Sequence, residues 1–306
     1  MITGAPTFPL VSRRRLHGLA FGAMHGARRG TGSDVSGSRT YVPGDDPDRI
    51  DWASSARLSA ALGTDEFIVR EHFADEAPRA VAVLDRSAAM ALPASGLPWL
   101  DKAAAAQIAV ELIAASVTEA RGLIGFLEFA AGRATVGWAQ PASGVTGLLE
   151  EHDLPRAEGA EPASDTAGAL DFLGLHRRAV PSATFVFVLS DFLTPPPIEA
   201  WEDALDRGWD VVPVVIQDPV WEQSFPQIDG VVVPLAPVAG RTRLVRLRTG
   251  ESAGWQRAHE ERRERLLSEL EGLGIEPVLI SSAELDEVFE SFAAWSTERQ
   301  SAWSRG

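Results

Sequence analysis

The chain has 306 residues, 45% of them hydrophobic and 23% charged, a balance typical of a folded globular protein. It contains no cysteine, which excludes disulfides, thiolate metal sites and a cysteine nucleophile. Its net charge of −15 disfavours nucleic-acid binding, because an acidic surface repels a phosphate backbone.

Membrane insertion is also disfavoured by the sequence. No stretch approaches the roughly 18 consecutive apolar residues that a membrane-spanning helix needs. The first residues place arginines after a short apolar stretch, which is the wrong order for a signal peptide. Together with the lack of cysteine, these features predict a cytoplasmic protein.

The N-terminal part, residues 1–79, differs in composition from the rest. It is rich in glycine, arginine and serine, and it has no long apolar run before residues 66–73. That segment alternates apolar and polar residues, which predicts a strand. We therefore expect an appended and partly irregular N-terminal module.

From residue 80 onward, strand and helix patterns alternate. Strands are predicted at 80–85, 122–130, 133–138, 183–191, 209–218 and 275–280, with a hairpin insertion near 228–250. Helices are predicted at 99–120, 144–152, 165–177, 196–208, 252–272 and 283–295. This order predicts an α/β domain over residues 80–306, with an open, mostly parallel sheet and helices on both faces.

Two predicted strands end in an aspartate. The strand at 80–85 ends at Asp85, and Asp191 closes the strand at 183–191. Ligands of open α/β sheets bind outside the carboxyl ends of the strands. We therefore expect Asp85 and Asp191 at one edge of the sheet.

Several common catalytic motifs are absent from the sequence. Lys102 is the only lysine, and it does not lie in a glycine-rich phosphate loop. No G-x-S-x-G nucleophile motif occurs, and the His259-Glu260 pair lacks the second histidine of a zinc-protease helix. These absences weaken most enzyme interpretations.

The segment "DRSAAM" at 85–90 resembles the D-x-S-x-S loop of von Willebrand factor type A domains. In that family this loop, a threonine from a second loop and an aspartate after the fourth strand hold Mg²⁺ in a metal-ion-dependent adhesion site. Asp85 and Ser87 match the loop, whereas Ala89 replaces its second serine. The resemblance thus implies a degenerate form of that site.

The other two positions of the site are matched in part. In "ASDTAGAL", Ser164 stands where the family has its ligand threonine, and Asp191 stands at the third position. The resemblance implies Mg²⁺ or Mn²⁺ at Asp85, Ser87, Ser164 and Asp191, since hydroxyl and carboxylate oxygens suit a hard cation. The alternative is structural: Ser87 and Ser164 cap helices, while Asp85 accepts backbone N–H groups.

A longer match lies in "RTYVPGDDPDRIDWASSAR" at 39–57, followed by "FIVREHFADE". This stretch resembles the bacterial and archaeal family called domain of unknown function 58. The matching residues are Arg39, Tyr41, Pro43, Gly44, Asp45, Asp46, Arg49, Ile50, Asp51, Trp52, Ser55, Ala56 and Arg57. The segment "GTGSDVSGSR" before it departs from the family pattern. The resemblance implies a type A-like domain and a partnership with MoxR-type AAA+ ATPases, which are thought to remodel or metallate client complexes.

The many charges of residues 39–57 have a structural interpretation. Pro43 and Gly44 suit a tight turn, and Asp46 suits a helix N-cap with Pro47 at the first helical position. The remaining carboxylates and arginines, including Asp51 and Arg57, would then form an ion-paired clasp. A direct partner-binding or metal role for the stretch is the alternative.

Two classes of function remain open on the sequence. The first is a non-catalytic adaptor that binds a partner at the edge carrying Asp85 and Asp191. The alternative is an α/β metal-dependent phosphoryl or ester hydrolase that uses these two carboxylates. Haloacid-dehalogenase chemistry would need a second aspartate where Ser87 stands.

Overall fold

The computed structural model describes residues 5–13, 25–41, 50–63, 67–75, 77–91, 99–130, 133–143, 164–228, 230–235, 243–248 and 250–304. The chain divides into two compact units. One consists of Met1–Ser12 with Arg79–Gly306, and the other of Arg13–Pro78. The sheet unit thus includes the first residues of the chain, which we had grouped with the N-terminal module.

The described residues of the smaller unit form two strands and a helix. Strand β1 (His25–Thr40) pairs antiparallel with β2 (Ile68–Asp75), and helix α1 (Trp52–Leu62) lies between them in sequence. The sequence predicted β2 but not the long β1. The β1 segment is rich in glycine and serine and shifts register three times against β2, so pairing with a regular partner strand overrides its weak strand propensity.

Helix α1 begins directly after Asp51. Asp51 is its N-cap, and its carboxylate accepts from the Ser54 backbone N–H at 3.1 Å and from the Ser54 hydroxyl at 3.0 Å. Ile50 pairs with Val69 in an antiparallel bridge, so the chain is extended just before the helix. The predicted N-cap Asp46 and the predicted first helical residue Pro47 lie outside the described residues.

The larger unit is built on a six-stranded sheet of order β10-β7-β6-β3-β4-β5. Its strands are β3 (Arg79–Asp85), β4 (Leu123–Ala130), β5 (Arg133–Ala142), β6 (Phe185–Ser190), β7 (Asp210–Ile216) and β10 (Val278–Ile280). All neighbours are parallel except β4 and β5, which form the predicted antiparallel pair. The strands β8 (Val232–Leu235) and β9 (Arg243–Arg246) form a separate antiparallel pair, where a hairpin was predicted.

The described residues form five helices beside the sheet. They are α2 (Lys102–Glu119), α3 (Thr166–Leu175), α4 (Ile198–Asp206), α5 (Glu251–Gly272) and α6 (Leu285–Ser304). The predicted helix at 144–152 lies outside the described residues. No helix in the described part of the chain has the length and apolarity needed to cross a membrane.

The two faces of the sheet are covered by different helices. Successive side chains of a strand point to opposite faces. Val186 and Val188 of β6 therefore join a core with residues of α3, α4 and α5, such as Leu173. Phe187, between them, packs against α6 at Phe292 and Trp295. This open, mostly parallel sheet with helices on both faces confirms the predicted α/β class and fits a von Willebrand factor type A-like or Rossmann-like sheet.

Helix α6 is longer than predicted. The sequence pattern ended it at Trp295, but it continues to Ser304 because its buried face continues through Ser296 and Arg299. The N-terminal segment lies against this helix: Phe8 stacks on Phe292 with ring centroids 4.6 Å apart, and the Ser296 hydroxyl donates to Pro9 O at 2.9 Å. These contacts explain why residues 5–12 belong to the sheet unit.

Candidate functional site

Asp85 lies at the point where the strand order of the sheet reverses. It ends β3, whose neighbours are β4 on one side and β6 on the other. Its Oδ1 accepts from the Ser87 backbone N–H at 2.8 Å, and its Oδ2 accepts from the Ser190 hydroxyl at 2.6 Å. Such a switch point is the usual place for a ligand site in open α/β sheets.

The environment of Asp85 disfavours its charge. Burial raises the pKa of Asp85, hydrogen bonds from Ser190, Ser87 and Ser164 lower it, and the nearby charge of Asp191 raises it, with a net upward shift. The donors around Asp85 are all neutral, so they compensate only part of the cost of removing a carboxylate from water.

The loop after β3 carries the other two positions of the D-x-S-x-S resemblance. Ser87 is buried, and its hydroxyl makes no hydrogen bond within the described part of the chain. It therefore does not cap a helix, as the structural alternative proposed. Ala89 lies two residues on and offers no oxygen from its side chain.

Ser164 reaches the site from the second loop, just before α3. Its hydroxyl lies 3.3 Å from the Thr166 hydroxyl, and its side chain lowers the pKa of Asp85. The N-cap of α3 is Asp165, whose Oδ1 accepts from the Gly168 N–H at 2.9 Å. The expectation that Ser164 caps this helix is wrong, because the carboxylate of the next residue has that position.

Asp191 follows β6 and forms a buried ion pair. Its Oδ1 accepts from the Leu193 N–H at 3.0 Å, and its Oδ2 lies 2.8 Å from the Lys102 ammonium. Lys102 is the first residue of α2, and its Nζ also lies 2.6 Å from Glu222 Oε1. The single lysine of the chain thus bridges two carboxylates from different loops.

A polar network surrounds this bridge on the loop after β7. The Glu222 Oε2 accepts from the Asp218 N–H at 2.9 Å, and Glu222 O accepts from Arg262 Nη2 at 2.6 Å. Asp218 Oδ2 accepts from the Leu100 N–H at 2.7 Å, and the Gln217 amide donates to Asp191 O at 2.6 Å. The network therefore connects the start of α2, the loop after β6 and the loop after β7.

The charges of the bridge stabilise one another. Burial alone lowers the pKa of Lys102, but the charges of Asp191 and Glu222 raise it, and the net shift is upward. Burial raises the pKa of Glu222, and the Lys102 charge opposes that shift. We therefore treat Lys102 as a protonated ammonium at neutral pH.

The structure places all four predicted ligand positions on loops at this edge of the sheet: Asp85 ends β3, and Ser87 follows it, Asp191 follows β6, and Ser164 lies just before α3. Sequence reasoning missed Lys102 and Glu222. One signal was present: the chain has 28 lysines and arginines, and only one of them is a lysine. Because lysine occurs only once in the chain, a specific structural role for Lys102 could have been expected.

The described donor set does not fit a resident Mg²⁺ well. That ion demands near-octahedral oxygen coordination. The two oxygens of Asp191 already accept from a backbone N–H and an ammonium, and Ala89 supplies no hydroxyl. Among the described residues, the buried side-chain oxygens without a hydrogen bond are the Ser87 hydroxyl and Gln217 Oε1, and no group of three or more histidine or acidic side chains is placed to hold a metal. The Mg²⁺ or Mn²⁺ site stays a prediction.

The signature stretch at 39–57 belongs to the other unit. Pro43, Gly44, Asp45, Asp46 and Arg49 lie outside the described residues. Arg39 pairs with Val69 in the ladder of β1 and β2, and the Tyr41 N–H donates to Phe67 O at 2.8 Å.

Apart from Ile50, which pairs with Val69, the remaining signature residues lie on helix α1 or cap it. Asp51 caps the helix, and Trp52 packs edge-on against Phe67 with ring centroids 5.9 Å apart. The Arg57 Nε donates to Ala53 O at 3.2 Å. The described contacts of these residues are structural ones within their own unit.

An open α/β sheet with a buried polar network at its switch point defines a Rossmann-like protein. Comparison with protein families assigns it further: the chain belongs to the family described as protein of unknown function DUF58, whose model matches residues 37–265. This membership confirms the family resemblance carried by the signature stretch.

Curated relatives occur in mycobacteria. Uncharacterized proteins of Mycobacterium tuberculosis (Rv1480) and Mycobacterium bovis (Mb1516) are each 30% identical over 195 residues, which is 62% of this chain and 56% of the relative. The chain therefore spans little more than half the length of these relatives. Among solved structures, the conserved hypothetical protein BatB from Bacteroides thetaiotaomicron is similar at a TM-score of 0.42 and 16% identity, covering 75% of this chain and 100% of that one.

Proposed function

We propose that this protein is a non-catalytic adaptor that binds a partner protein at the carboxyl edge of the six-stranded sheet. It would work with a MoxR-type AAA+ ATPase in the chaperone-like assembly or remodelling of client proteins. The partner class rests on what the resemblance of residues 39–57 implies, since the family that the chain belongs to is described only as one of unknown function.

The observation that carries the adaptor role is the state of the two carboxylates at this edge. Asp85 and Asp191 are both 2% exposed. Each of their four oxygens accepts a hydrogen bond from the protein. A hydrolase needs a carboxylate that can reach a substrate or an attacking water, and neither aspartate is available in that way. This arrangement favours binding over catalysis.

Exposed residues on the same loops offer a surface for the partner. Thr194 follows Asp191 on the loop after β6, and Val220 follows Asp218 on the loop after β7. Both are exposed, with Val220 at 48%. The buried network beneath them fixes the two loops, because Glu222 and Asp191 share the Lys102 ammonium. A rigid loop surface binds a partner at a lower entropic cost.

The test is capture of the partner from the native host. The tagged wild-type chain is expected to enrich an AAA+ ATPase, identified by mass spectrometry. A variant with Thr194→Arg and Val220→Arg should lose it, since two bulky charges at an interface are costly to bury. Leu175→Arg is the matched control, because Leu175 is 83% exposed and ends α3, which starts at this edge and runs to the opposite end of the sheet.

The outcomes separate the hypotheses. Capture of the ATPase by wild type and Leu175→Arg, but not by the double variant, supports the adaptor role at this edge. Equal capture by wild type, the double variant and Leu175→Arg would show that the interface lies elsewhere on the protein. Turnover of generic phosphatase or esterase substrates that disappears with Asp85→Ala would favour the hydrolase.

A further inference from the structure

We propose that the ammonium of Lys102 is the resident cation of this edge, and that it connects the loops around Asp191 without a divalent metal ion. The inference concerns the cation alone and does not depend on which partner the edge binds. It begins from two distances: Lys102 Nζ lies 2.8 Å from Asp191 Oδ2 and 2.6 Å from Glu222 Oε1.

The first argument is the position of Lys102 in its helix. It is the first residue of α2, where the positive end of the helix dipole disfavours a cation. The side chain is also almost completely buried, at 2% exposure. A buried charge in an unfavourable place persists only where it is paired and hydrogen-bonded. Asp191 and Glu222 are those partners, so the pairing is the reason for a lysine here.

The second argument is the choice of residue type. Every other basic residue among the 28 in the chain is an arginine. A guanidinium is planar and wide, whereas an ammonium is a compact point charge with donors in three directions. An ammonium can therefore bind carboxylates that converge from two loops, much as a metal ion would.

The third argument is what the cation joins. Asp191 lies on the loop after β6 and Glu222 on the loop after β7, while Lys102 itself starts the helix between β3 and β4. Glu222 is held in turn by the Asp218 N–H and, through its carbonyl, by Arg262. In the metal-ion-dependent adhesion site that the sequence resembles, a bound cation likewise joins the loops at this edge of the sheet. Lys102 performs it with a charge that is part of the chain.

A divalent ion would meet two obstacles in this arrangement. Asp191 is one of the predicted ligands, and it already neutralises Lys102. A second cation close by would repel the ammonium, and repulsion between charges is strong where water is excluded. Ala89 replaces the second serine of the loop, and this loss also weakens metal binding. On our inference, the Lys102 ammonium weakens it more.

The experiment titrates Mn²⁺, followed by its electron paramagnetic resonance signal, into four forms of the chain. These are wild type, Ala89→Ser, Lys102→Met and Ala89→Ser/Lys102→Met. Wild type and Ala89→Ser are expected to bind no Mn²⁺ in the micromolar to millimolar range, and their melting temperatures should be the same in Mg²⁺ and in chelator. The double variant, with its hydroxyl restored and its ammonium removed, should bind at least about tenfold more tightly than Ala89→Ser.

Two results would overturn the proposal. One is Mn²⁺ binding by wild type or by Ala89→Ser, since the ion would then coexist with the ammonium. The other is a folded double variant that binds no better than Ala89→Ser. The titrations of wild type and Ala89→Ser involve no change at Lys102, so binding by either would overturn the proposal even if the methionine variants do not fold.

Discussion

Arg299 Nη1 lies 3.0 Å and 3.2 Å from the two carboxylate oxygens of Asp210, and both side chains are buried. The same nitrogen donates to Val11 O at 2.9 Å, and Arg299 Nε donates to Glu276 at 2.6 Å. One guanidinium thus connects α6, the first residue of β7 and the N-terminal segment. It is a structural ion pair in the same unit as the candidate site.

Arg299→Met should strongly destabilise the sheet unit, because it leaves the Asp210 carboxylate buried without its cation. Breaking a buried pair from one side costs about 3–5 kcal/mol. Glu276→Gln is the control: Glu276 is 41% exposed, so removing its charge should cost less than about 1 kcal/mol. Urea unfolding followed by tryptophan fluorescence measures both, since eight of the nine tryptophans lie outside residues 13–78. Equal costs for the two variants would contradict the buried-pair interpretation.

The pH dependence of stability should change when Asp85 is made neutral. The pKa of Asp85 is raised in the folded chain by burial, so the folded state holds this proton more tightly than the unfolded state. The contribution of Asp85 to stability is then present at low pH, and it is lost as the pH rises from the ordinary value of 3.8 through the raised pKa. Asparagine cannot lose a proton.

In chelator, the stability of Asp85→Asn relative to wild type is therefore expected to increase from acid to neutral pH. Asp191→Asn is the contrasting variant, because it breaks the buried pair with Lys102 and should be less stable than wild type at neutral pH. Thermal melts across this pH range test both. Parallel pH profiles for wild type and Asp85→Asn would show that Asp85 does not titrate as its environment indicates.

The two serines nearest Asp85 should differ in their effect on stability. The Ser190 hydroxyl donates to Asp85 Oδ2 at 2.6 Å, so Ser190→Ala leaves a buried carboxylate with one donor fewer and should cost about 1–3 kcal/mol. The Ser87 hydroxyl makes no hydrogen bond within the described chain, and Ser87→Ala keeps the backbone N–H that Asp85 uses. That variant should be close to neutral when no metal is present. A larger cost for Ser87→Ala than for Ser190→Ala would contradict these contacts.

The sheet and its carboxyl edge could be predicted because they depend on local patterns. The strand segments of Val81, Val83, Val186 and Val188 are buried on both faces and therefore read as continuous apolar runs. Parallel strands then place their ends together, which brings Asp85 and Asp191 to one edge. The resemblance in "DRSAAM" added Ser87, and the one in "ASDTAGAL" added Ser164 at the same edge.

The Lys102 bridge could not be predicted in the same way. Lys102 is 89 residues from Asp191 and 120 from Glu222, and neither partner lies within a regular element. Their meeting depends on how two loops fold over the start of α2, which no periodicity records. Strand β1 was missed for a related reason: a glycine- and serine-rich segment has little strand propensity until β2 supplies its hydrogen bonds.

Two glycines allow a test of the packing in the sheet unit. Gly125 lies in β4, and a Cβ there would approach Ala139 O and Pro141 N of β5, each at 2.8 Å. Backbone atoms of a paired strand cannot easily move away, so Gly125→Ala should destabilise the sheet by about 1–3 kcal/mol. Gly254 lies in α5, and a Cβ there would meet nothing within 4 Å.

Gly254→Ala is therefore expected to stabilise the chain by about 0.5–1 kcal/mol, because alanine loses less conformational entropy than glycine in a helix. Urea midpoints measure both changes, and the opposite signs control for any general effect of adding a methyl group. A neutral Gly125→Ala would mean that β5 can shift away from β4 at its bulge between Ile124 and Phe126. The β4 and β5 strands would then be easier to displace from each other than their short interatomic distances imply.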